Sequence, residues 1–188
     1  MIMTSNSPDK KDLLEREESL LVIIDMQERL LPAVADRESV KENVMRLVSF
    51  AGITGIPVIV TEQEKLGPTV LDLSQCKECS APISKVAFNC FLSNDFADAV
   101  RRSQRKALIL TGLEAHICVA QTALHAVQHF KVHVVRDAIS SRTVDNCNTA
   151  VERMRTSGVT ITSTEMIIYE LLKKAGTQEF KAALALVK

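Results

Sequence analysis

Three residues of this sequence carry reactive side chains at positions where such side chains are unusual. Asp25 directly follows the apolar run Leu20–Ile24, Lys85 lies inside the short apolar segment Pro82–Ala87, and Cys118 follows a short apolar run and a glycine turn. A thiol, a carboxylate and an ammonium group are together the components of nucleophilic catalysis. The thiol attacks a carbonyl carbon, the carboxylate takes the thiol proton, and the ammonium group stabilises negative charge.

Each of the three residues also has a purely structural interpretation. Cys118 could be a small buried apolar side chain, Asp25 a turn or capping residue, and Lys85 a solubilising residue of an edge strand. A carboxylate at the end of a buried strand is costly without a partner, and so is an ammonium group between apolar neighbours. The catalytic interpretation supplies both with a partner.

The surroundings of Cys118 predict a reactive thiol. Ala107–Leu110 has the apolar pattern of a buried strand, Thr111 and Gly112 end it, and helical spacing of apolar residues begins at about Ala115. Cys118 is therefore expected in the first turn of a helix, where unpaired amides and the helix dipole stabilise a thiolate. We expect its pKa to be lowered.

Apolar runs alternate with helical patterns along the chain, which predicts one α/β domain over residues 19–188. Its fold is expected to be a doubly wound, six-stranded parallel sheet in the order 3-2-1-4-5-6, with helices on both faces. The first and fourth strands are then neighbours, so that Asp25 and Cys118 meet at the sheet edge that binds ligands in such folds. Residues 1–18 are polar and are expected to form a flexible tail or a short helix. The predicted strands are Leu20–Ile24, Ile56–Val60, Pro82–Ala87, Ala107–Leu110, Val132–Val135 and Val159–Thr162.

Composition argues against several classes of function. The 188 residues include 23 basic and 23 acidic side chains, no tryptophan and one tyrosine, which gives no support for nucleic-acid or membrane binding. The chain has neither a Gly-x-Gly-x-x-Gly motif nor a phosphate-binding P-loop. Because no signal peptide or membrane-spanning run is recognisable, a cytoplasmic location is expected, with a mitochondrial one left open.

The five cysteines do not resemble a disulfide framework, since their number is odd and they are widely spaced. Cys76 and Cys79 form a Cys-x-x-Cys pair that could be half of a zinc site or a redox pair. No second pair of metal ligands with suitable spacing is present in the sequence. Free thiols in a surface loop are therefore the expectation for Cys76 and Cys79.

Three segments resemble the isochorismatase-like cysteine hydrolase superfamily: LLVIIDMQERLLP, SKVAFNCFLSNDF and LTGLEAHICVAQTALHA. They occur in the family's order, and the resemblance covers roughly residues 19 to 172. It implies that Asp25, Lys85 and Cys118 form the family's catalytic triad. It also implies a cis peptide bond between Leu113 and Glu114, and an oxyanion hole made by the backbone N–H groups of Glu114 and Cys118.

The sequence also departs from parts of that superfamily. Nicotinamidases carry an Asp-x-His metal motif after the second strand, whereas this chain has Thr-Glu-Gln-Glu at residues 61–64, so no catalytic metal or other cofactor is expected. True isochorismatases tend to lack the nucleophilic cysteine. The chain is most similar to the isochorismatase domain-containing proteins. Gln63 and His116 are candidates for the substrate pocket, although His116 could simply be exposed.

Three hypotheses of function follow. The first is a metal-independent cysteine hydrolase that cleaves a small amide or a related C–N bond through a thioester. The second is a non-catalytic scaffold or partner-binding member of the same fold. The third is a thiol redox protein that uses Cys76 and Cys79. The resemblance also implies a homo-oligomer with a small-molecule substrate, without nucleic-acid or membrane partners.

Overall fold

Six parallel strands form one sheet in the order β3-β2-β1-β4-β5-β6, as expected from the sequence. The computed structural model describes residues 13–74 and 76–187. The first strand, β1, occupies the centre of the sheet and pairs with both β2 and β4. The strands are β1 (Ser19–Ile24), β2 (Val58–Gln63), β3 (Ile83–Lys85), β4 (Ala107–Leu113), β5 (Lys131–Ser140) and β6 (Thr160–Thr162).

Helices cover both faces of the sheet. Side chains of β1 alternate between the two sides: Leu21 and Ile23 pack with α1, α5 and α6, whereas Leu20, Val22 and Ile24 pack with α2, α3 and α4. All six residues of β1 are buried, which explains the uninterrupted apolar run in its sequence. The helices are α1 (Arg37–Thr54), α2 (Asn94–Ser103), α3 (Ala120–Ala126), α4 (Val144–Thr156), α5 (Thr164–Leu172) and α6 (Gln178–Val187), with short 3₁₀ turns at Arg16–Glu18, Leu31–Ala33 and Cys90–Leu92.

Three strands extend beyond their predicted ends, which were set at residues 60, 110 and 135. The added residues include buried polar side chains that are satisfied inside the fold. Thr111 Oγ1, for example, donates a hydrogen bond to the backbone oxygen of Val22 over 3.2 Å. A prediction from hydropathy alone therefore ends these three strands too early, because their last residues include polar side chains.

Gly112 allows β1 and β4 to approach closely at this end of the sheet. Its φ is +108°, and a Cβ atom at this position would lie 2.0 Å from the backbone oxygen of Ile24. Only glycine avoids both the strained backbone angle and this clash. The close approach brings the residue after β1, Asp25, next to the segment that carries Cys118.

The sequence predicts a flexible tail or a short helix before residue 19. Residues 1–12 of the predicted tail lie outside the described residues, but residues 13–18 pack against the domain. The Leu14 side chain is buried, its backbone N–H donates to Glu170, and the Arg16 side chain forms an ion pair with Glu179. A single buried leucine in a polar segment gives no periodic signal, so these contacts could not be read from the sequence.

Candidate active site

The carboxyl edge of the sheet brings together the three residues that the sequence singled out. Asp25 immediately follows β1, Lys85 is the last residue of β3, and Cys118 follows β4 in a π-helical turn, Ala115–Val119. The sequence predicts this thiol in the first turn of a helix. That turn is π-helical and precedes α3, and in it the backbone N–H of Val119 donates to the oxygen of Glu114.

The side chains of Asp25, Lys85 and Cys118 form one buried cluster. Lys85 Nζ lies 2.7 Å from Asp25 Oδ2 and 3.8 Å from Cys118 Sγ. The exposed fractions of the three residues are 0%, 3% and 5% for Asp25, Lys85 and Cys118. The ammonium group thus bridges a carboxylate and a thiol, an arrangement whose groups could support nucleophilic attack by sulfur.

Two further residues hold this cluster, and sequence reasoning found only one of them. Gln63 Oε1 accepts a hydrogen bond from Lys85 Nζ over 2.8 Å, so Gln63 contacts the lysine. Thr61 Oγ1 donates to Asp25 Oδ1 over 2.8 Å. Thr61 is the first polar residue after an apolar run, so the reasoning that selected Asp25 could also have selected Thr61.

A buried glutamine, Gln27, was missed because nothing in the sequence distinguishes it. Its side-chain oxygen accepts from the backbone N–H of Gln63, and its amide nitrogen donates to the backbone oxygen of Gln63. Gln27 therefore connects the segment after Asp25 to the end of β2.

Asp25 itself has a φ of +51°, a conformation that aspartate tolerates better than most residues.

Burial raises the pKa of the Cys118 thiol far above its ordinary value, which contradicts the expected lowering. The negative charge of Asp25 raises this pKa further, and the positive charge of Lys85 offsets the increase only in part. Burial alone would lower the pKa of Lys85, but Asp25 and the neighbouring thiols outweigh it and raise that pKa. This environment therefore favours the neutral thiol form of Cys118 beside the Asp25–Lys85 ion pair.

A second ion pair, between Glu114 and Arg142, lies at the same edge of the sheet. The peptide bond that precedes Glu114, between Leu113 and Glu114, is cis, at the position that the resemblance implied. The Glu114 carboxylate is buried, and its Oε2 atom accepts hydrogen bonds from Nε and the backbone N–H of Arg142, over 3.1 and 3.2 Å. His116 Nδ1 lies 2.9 Å from Ser141 Oγ, and 23% of its side chain is exposed.

Cys76 and Cys79 are joined by a disulfide bond and are not the free thiols that the sequence suggested. The backbone on both sides of Cys79 bonds to β2: Val58 donates to the oxygen of Glu78, and Ser80 donates to the oxygen of Val58. Within the described chain, no three His, Cys, Asp or Glu side chains are grouped as metal ligands. That the protein works without a metal or other cofactor stays a prediction.

Comparison with known proteins identifies the family. The isochorismatase domain model matches residues 19–166. The chain is 36% identical to the secreted isochorismatase effector Isc1 of Phytophthora sojae over 197 residues, covering all of this chain and 93% of that protein. It is 33% identical to isochorismatase domain-containing protein 2A of Mus musculus, covering 92% of this chain and 84% of the relative.

Solved structures with the same fold carry varied descriptions. The MAR1 ribonuclease of Caenorhabditis elegans is 30% identical, with a TM-score of 0.84 over 93% of this chain and 92% of that one. YcaC of Pseudomonas aeruginosa, solved with covalent acrylamide, is 27% identical, with a TM-score of 0.87 over 93% and 91%.

The Escherichia coli YcaC gene product, described as an octameric hydrolase of unknown specificity, is 27% identical, with a TM-score of 0.85 over 93% of this chain and 88% of that one.

Among residues 13–74 and 76–187, no helix has the length and apolar content needed to cross a bilayer. On the match to residues 19–166 and the relatives above 30% identity, the chain belongs to the isochorismatase-like hydrolase family.

Proposed function

We propose that this protein is a metal-independent cysteine hydrolase that cleaves a small amide, or a related C–N bond, through a thioester. The observation that carries the proposal is the buried cluster in which Lys85 Nζ lies 2.7 Å from Asp25 and 3.8 Å from Cys118. Burial of a carboxylate and an ammonium group is costly, and a structural role is served as well by apolar side chains. A nucleophile beside the ion pair gives that pair a chemical use.

The reaction begins with attack of Cys118 Sγ on the amide carbon, while the thiol proton moves to Asp25. The tetrahedral oxyanion is stabilised by the backbone N–H groups of Glu114 and Cys118, the oxyanion hole that we propose. Collapse breaks the C–N bond, and the proton on Asp25 passes to the leaving nitrogen. Water then attacks the thioester and gives up a proton to Asp25, which returns it to sulfur as the acid leaves.

The raised pKa of Cys118 fits this sequence, since a protonated thiol needs a base at the moment of attack. We assign the role of that base to Asp25, whose charge and hydrogen bond both act on the Cys118 thiol. Lys85, which pairs with Asp25, stabilises the negative charge that passes between carboxylate and sulfur. Gln63 and His116 are proposed as pocket walls. Gln63 holds Lys85 and donates to the backbone oxygen of Val86, and His116 is held by Ser141.

The relatives support parts of this proposal. One YcaC structure contains covalent acrylamide, an electrophile that carries an amide group. The C. elegans relative is described as a ribonuclease, which raises RNA as an alternative substrate. The equal numbers of acidic and basic side chains here disfavour RNA, because binding its backbone depends on positive charge.

We also propose that the protein is a homo-oligomer, because the E. coli relative is octameric. Large apolar side chains at Val86, Phe88 and Leu92 are more than half exposed beside the site and would be covered in an assembly.

A cytoplasmic location remains the expectation. A reducing cytoplasm would keep the cysteines of the disulfide-bonded pair as thiols.

The test combines hydrolysis with covalent labelling. Wild-type protein, Cys118→Ser and the matched control Cys147→Ser are incubated with a panel of small primary amides, and released ammonia is measured. The same proteins are treated with acrylamide, and peptide mass spectrometry reports each cysteine. We expect ammonia release and labelling of Cys118 in the wild type and in Cys147→Ser, and neither in Cys118→Ser.

Three results would contradict the proposal. Ammonia release that survives in Cys118→Ser would place the chemistry elsewhere. An inert Cys118 with no hydrolysis would favour the non-catalytic, partner-binding alternative. If Cys76→Ser with Cys79→Ser abolished function while Cys118→Ser did not, the redox hypothesis would be favoured instead.

A further inference from the structure

Arg142 is held beside the candidate site by the buried carboxylate of Glu114. It follows the end of β5 and precedes α4, so it lies at the same sheet edge as Cys118. Glu114 Oε2 accepts both its Nε and its backbone N–H, which fixes the guanidinium from one side. The exposed fractions of the two side chains are 58% for Arg142 and 4% for Glu114.

The terminal nitrogens of this guanidinium make no hydrogen bond to any described residue. Across residues 13–74 and 76–187, Arg142 donates hydrogen bonds from Nε and from its backbone N–H, both to Glu114. Arg16 shows the contrast, since both of its terminal nitrogens donate to the carboxylate of Glu179. Asp145, the acidic residue in the first turn of α4, forms no ion pair with Arg142 in the described residues.

The residue that anchors Arg142 also anchors the nucleophile's turn. The backbone oxygen of Glu114 accepts the N–H groups of Ile117 and Val119, on either side of Cys118. Ser141, the neighbour of Arg142, contacts His116 in the same turn. A group bound by Arg142 would therefore lie beside the turn that carries Cys118, at the β5 side of the sheet edge.

We propose that Arg142 is a specificity residue that binds a carboxylate on the substrate, so that the preferred substrate is a small amide carrying an anionic group. Two terminal nitrogens of a fixed guanidinium match the two oxygens of a carboxylate. Nε keeps its bond to Glu114, so substrate binding leaves no buried charge unpaired. This inference rests on the proposed hydrolase function for its meaning, but the binding itself can be tested without the reaction.

The test is isothermal titration of the Cys118→Ala protein with succinamate and with butyramide, which differ by a carboxylate in place of a methyl group. We expect succinamate to bind about tenfold more tightly, as one charge-assisted contact provides. Arg142→Ala should remove this difference without changing butyramide binding, and Arg142→Lys should retain part of it. Arg153→Ala, which removes an exposed arginine of α4, is the matched control and should change neither affinity.

Equal binding of the two amides, a preference that survives in Arg142→Ala, or no binding of succinamate would each overturn the proposal. Loss of butyramide binding in Arg142→Ala would assign Arg142 a structural role and would also overturn it. Ammonia release by the wild-type protein is measured in parallel. A carboxylate preference without hydrolysis would leave the subsite standing and refute the hydrolase, whereas hydrolysis without the preference would do the reverse.

Discussion

Two ion pairs flank Cys118, and they differ in how much water reaches them. Neither side chain of the Asp25–Lys85 pair is exposed, and the remaining hydrogen-bonding positions are filled by Thr61 and Gln63. In the second pair the carboxylate is buried, but more than half of the Arg142 side chain is exposed. The Asp25–Lys85 pair is shielded from solvent and contacts the thiol. The Glu114–Arg142 pair keeps hydrogen-bond donors of Arg142 exposed to solvent.

The difference indicates separate tasks. A closed pair in a low dielectric interacts strongly with a neighbouring nucleophile, and its charges shift the pKa of that nucleophile. A half-exposed pair interacts weakly across itself, because water screens it. It can still present a positively charged group in a fixed orientation. We therefore assign chemistry to the Asp25–Lys85 pair, called the inner pair below. We assign substrate selection to the Glu114–Arg142 pair, called the outer pair.

Breaking the inner pair should have the largest effect. Lys85→Met leaves the Asp25 carboxylate buried without its counter-charge, and we expect a loss of about 3–5 kcal/mol in the free energy of unfolding, measured by urea denaturation. The double variant Asp25→Asn with Lys85→Met removes both charges and should recover most of that loss. Equal destabilisation in the single and double variants would mean that packing, not charge, governs this site.

Asp25→Asn should separate the reactivity of the thiol from catalysis. The negative charge of Asp25 raises the pKa of Cys118, so removing it lowers that pKa while Lys85 stays to stabilise the thiolate. We expect iodoacetamide to alkylate Cys118 about tenfold faster near neutral pH, while amide hydrolysis is lost with the base.

Cys147 is the internal control for that measurement. Its pKa is raised by burial, with contributions from Arg136 and Asp36 but not from Asp25, so its alkylation rate should not change. Slower alkylation of Cys118 in Asp25→Asn would contradict this prediction, because it would show that the negative charge of Asp25 does not suppress the reactivity of the resting thiol.

Glu114→Gln should change the outer pair with a smaller effect on stability. Because Arg142 is half exposed, we expect a loss of only about 0.5–1 kcal/mol in the free energy of unfolding, with Glu152→Gln on α4 as the exposed control. The preference for succinamate over butyramide should fall, since the guanidinium loses its charged anchor. A loss as large as that of Lys85→Met would remove the distinction between the two pairs.

Salt should produce the smallest effect and should act on one pair alone. Raising the ionic strength from about 0.1 to 1 M shortens the screening length from about 10 to 3 Å. Succinamate affinity should therefore weaken by a few-fold, while butyramide affinity and the Cys118 alkylation profile stay unchanged. If the alkylation profile shifts as strongly as the succinamate affinity, water reaches the inner pair.

From the sequence alone we could predict the sheet, its strand order and the three residues that meet at its carboxyl edge. These predictions rest on local sequence patterns. A strand that is buried on both faces has an uninterrupted apolar run, so a charged residue that ends or interrupts the run is easily recognised. Asp25 and Lys85 were found in this way. Cys118 was found because a strand, a glycine turn and a helix follow one another around it.

Tertiary structure alone decided which residues complete the site and how its charges behave. The contacts of Thr61 with Asp25 and of Arg142 with Glu114 join residues 36 and 28 positions apart, and no local pattern encodes them. The pKa of Cys118 rises, contrary to the expectation from its place in the chain, because burial and Asp25 outweigh Lys85. Burial is a property of the packed molecule, and the fold sets it.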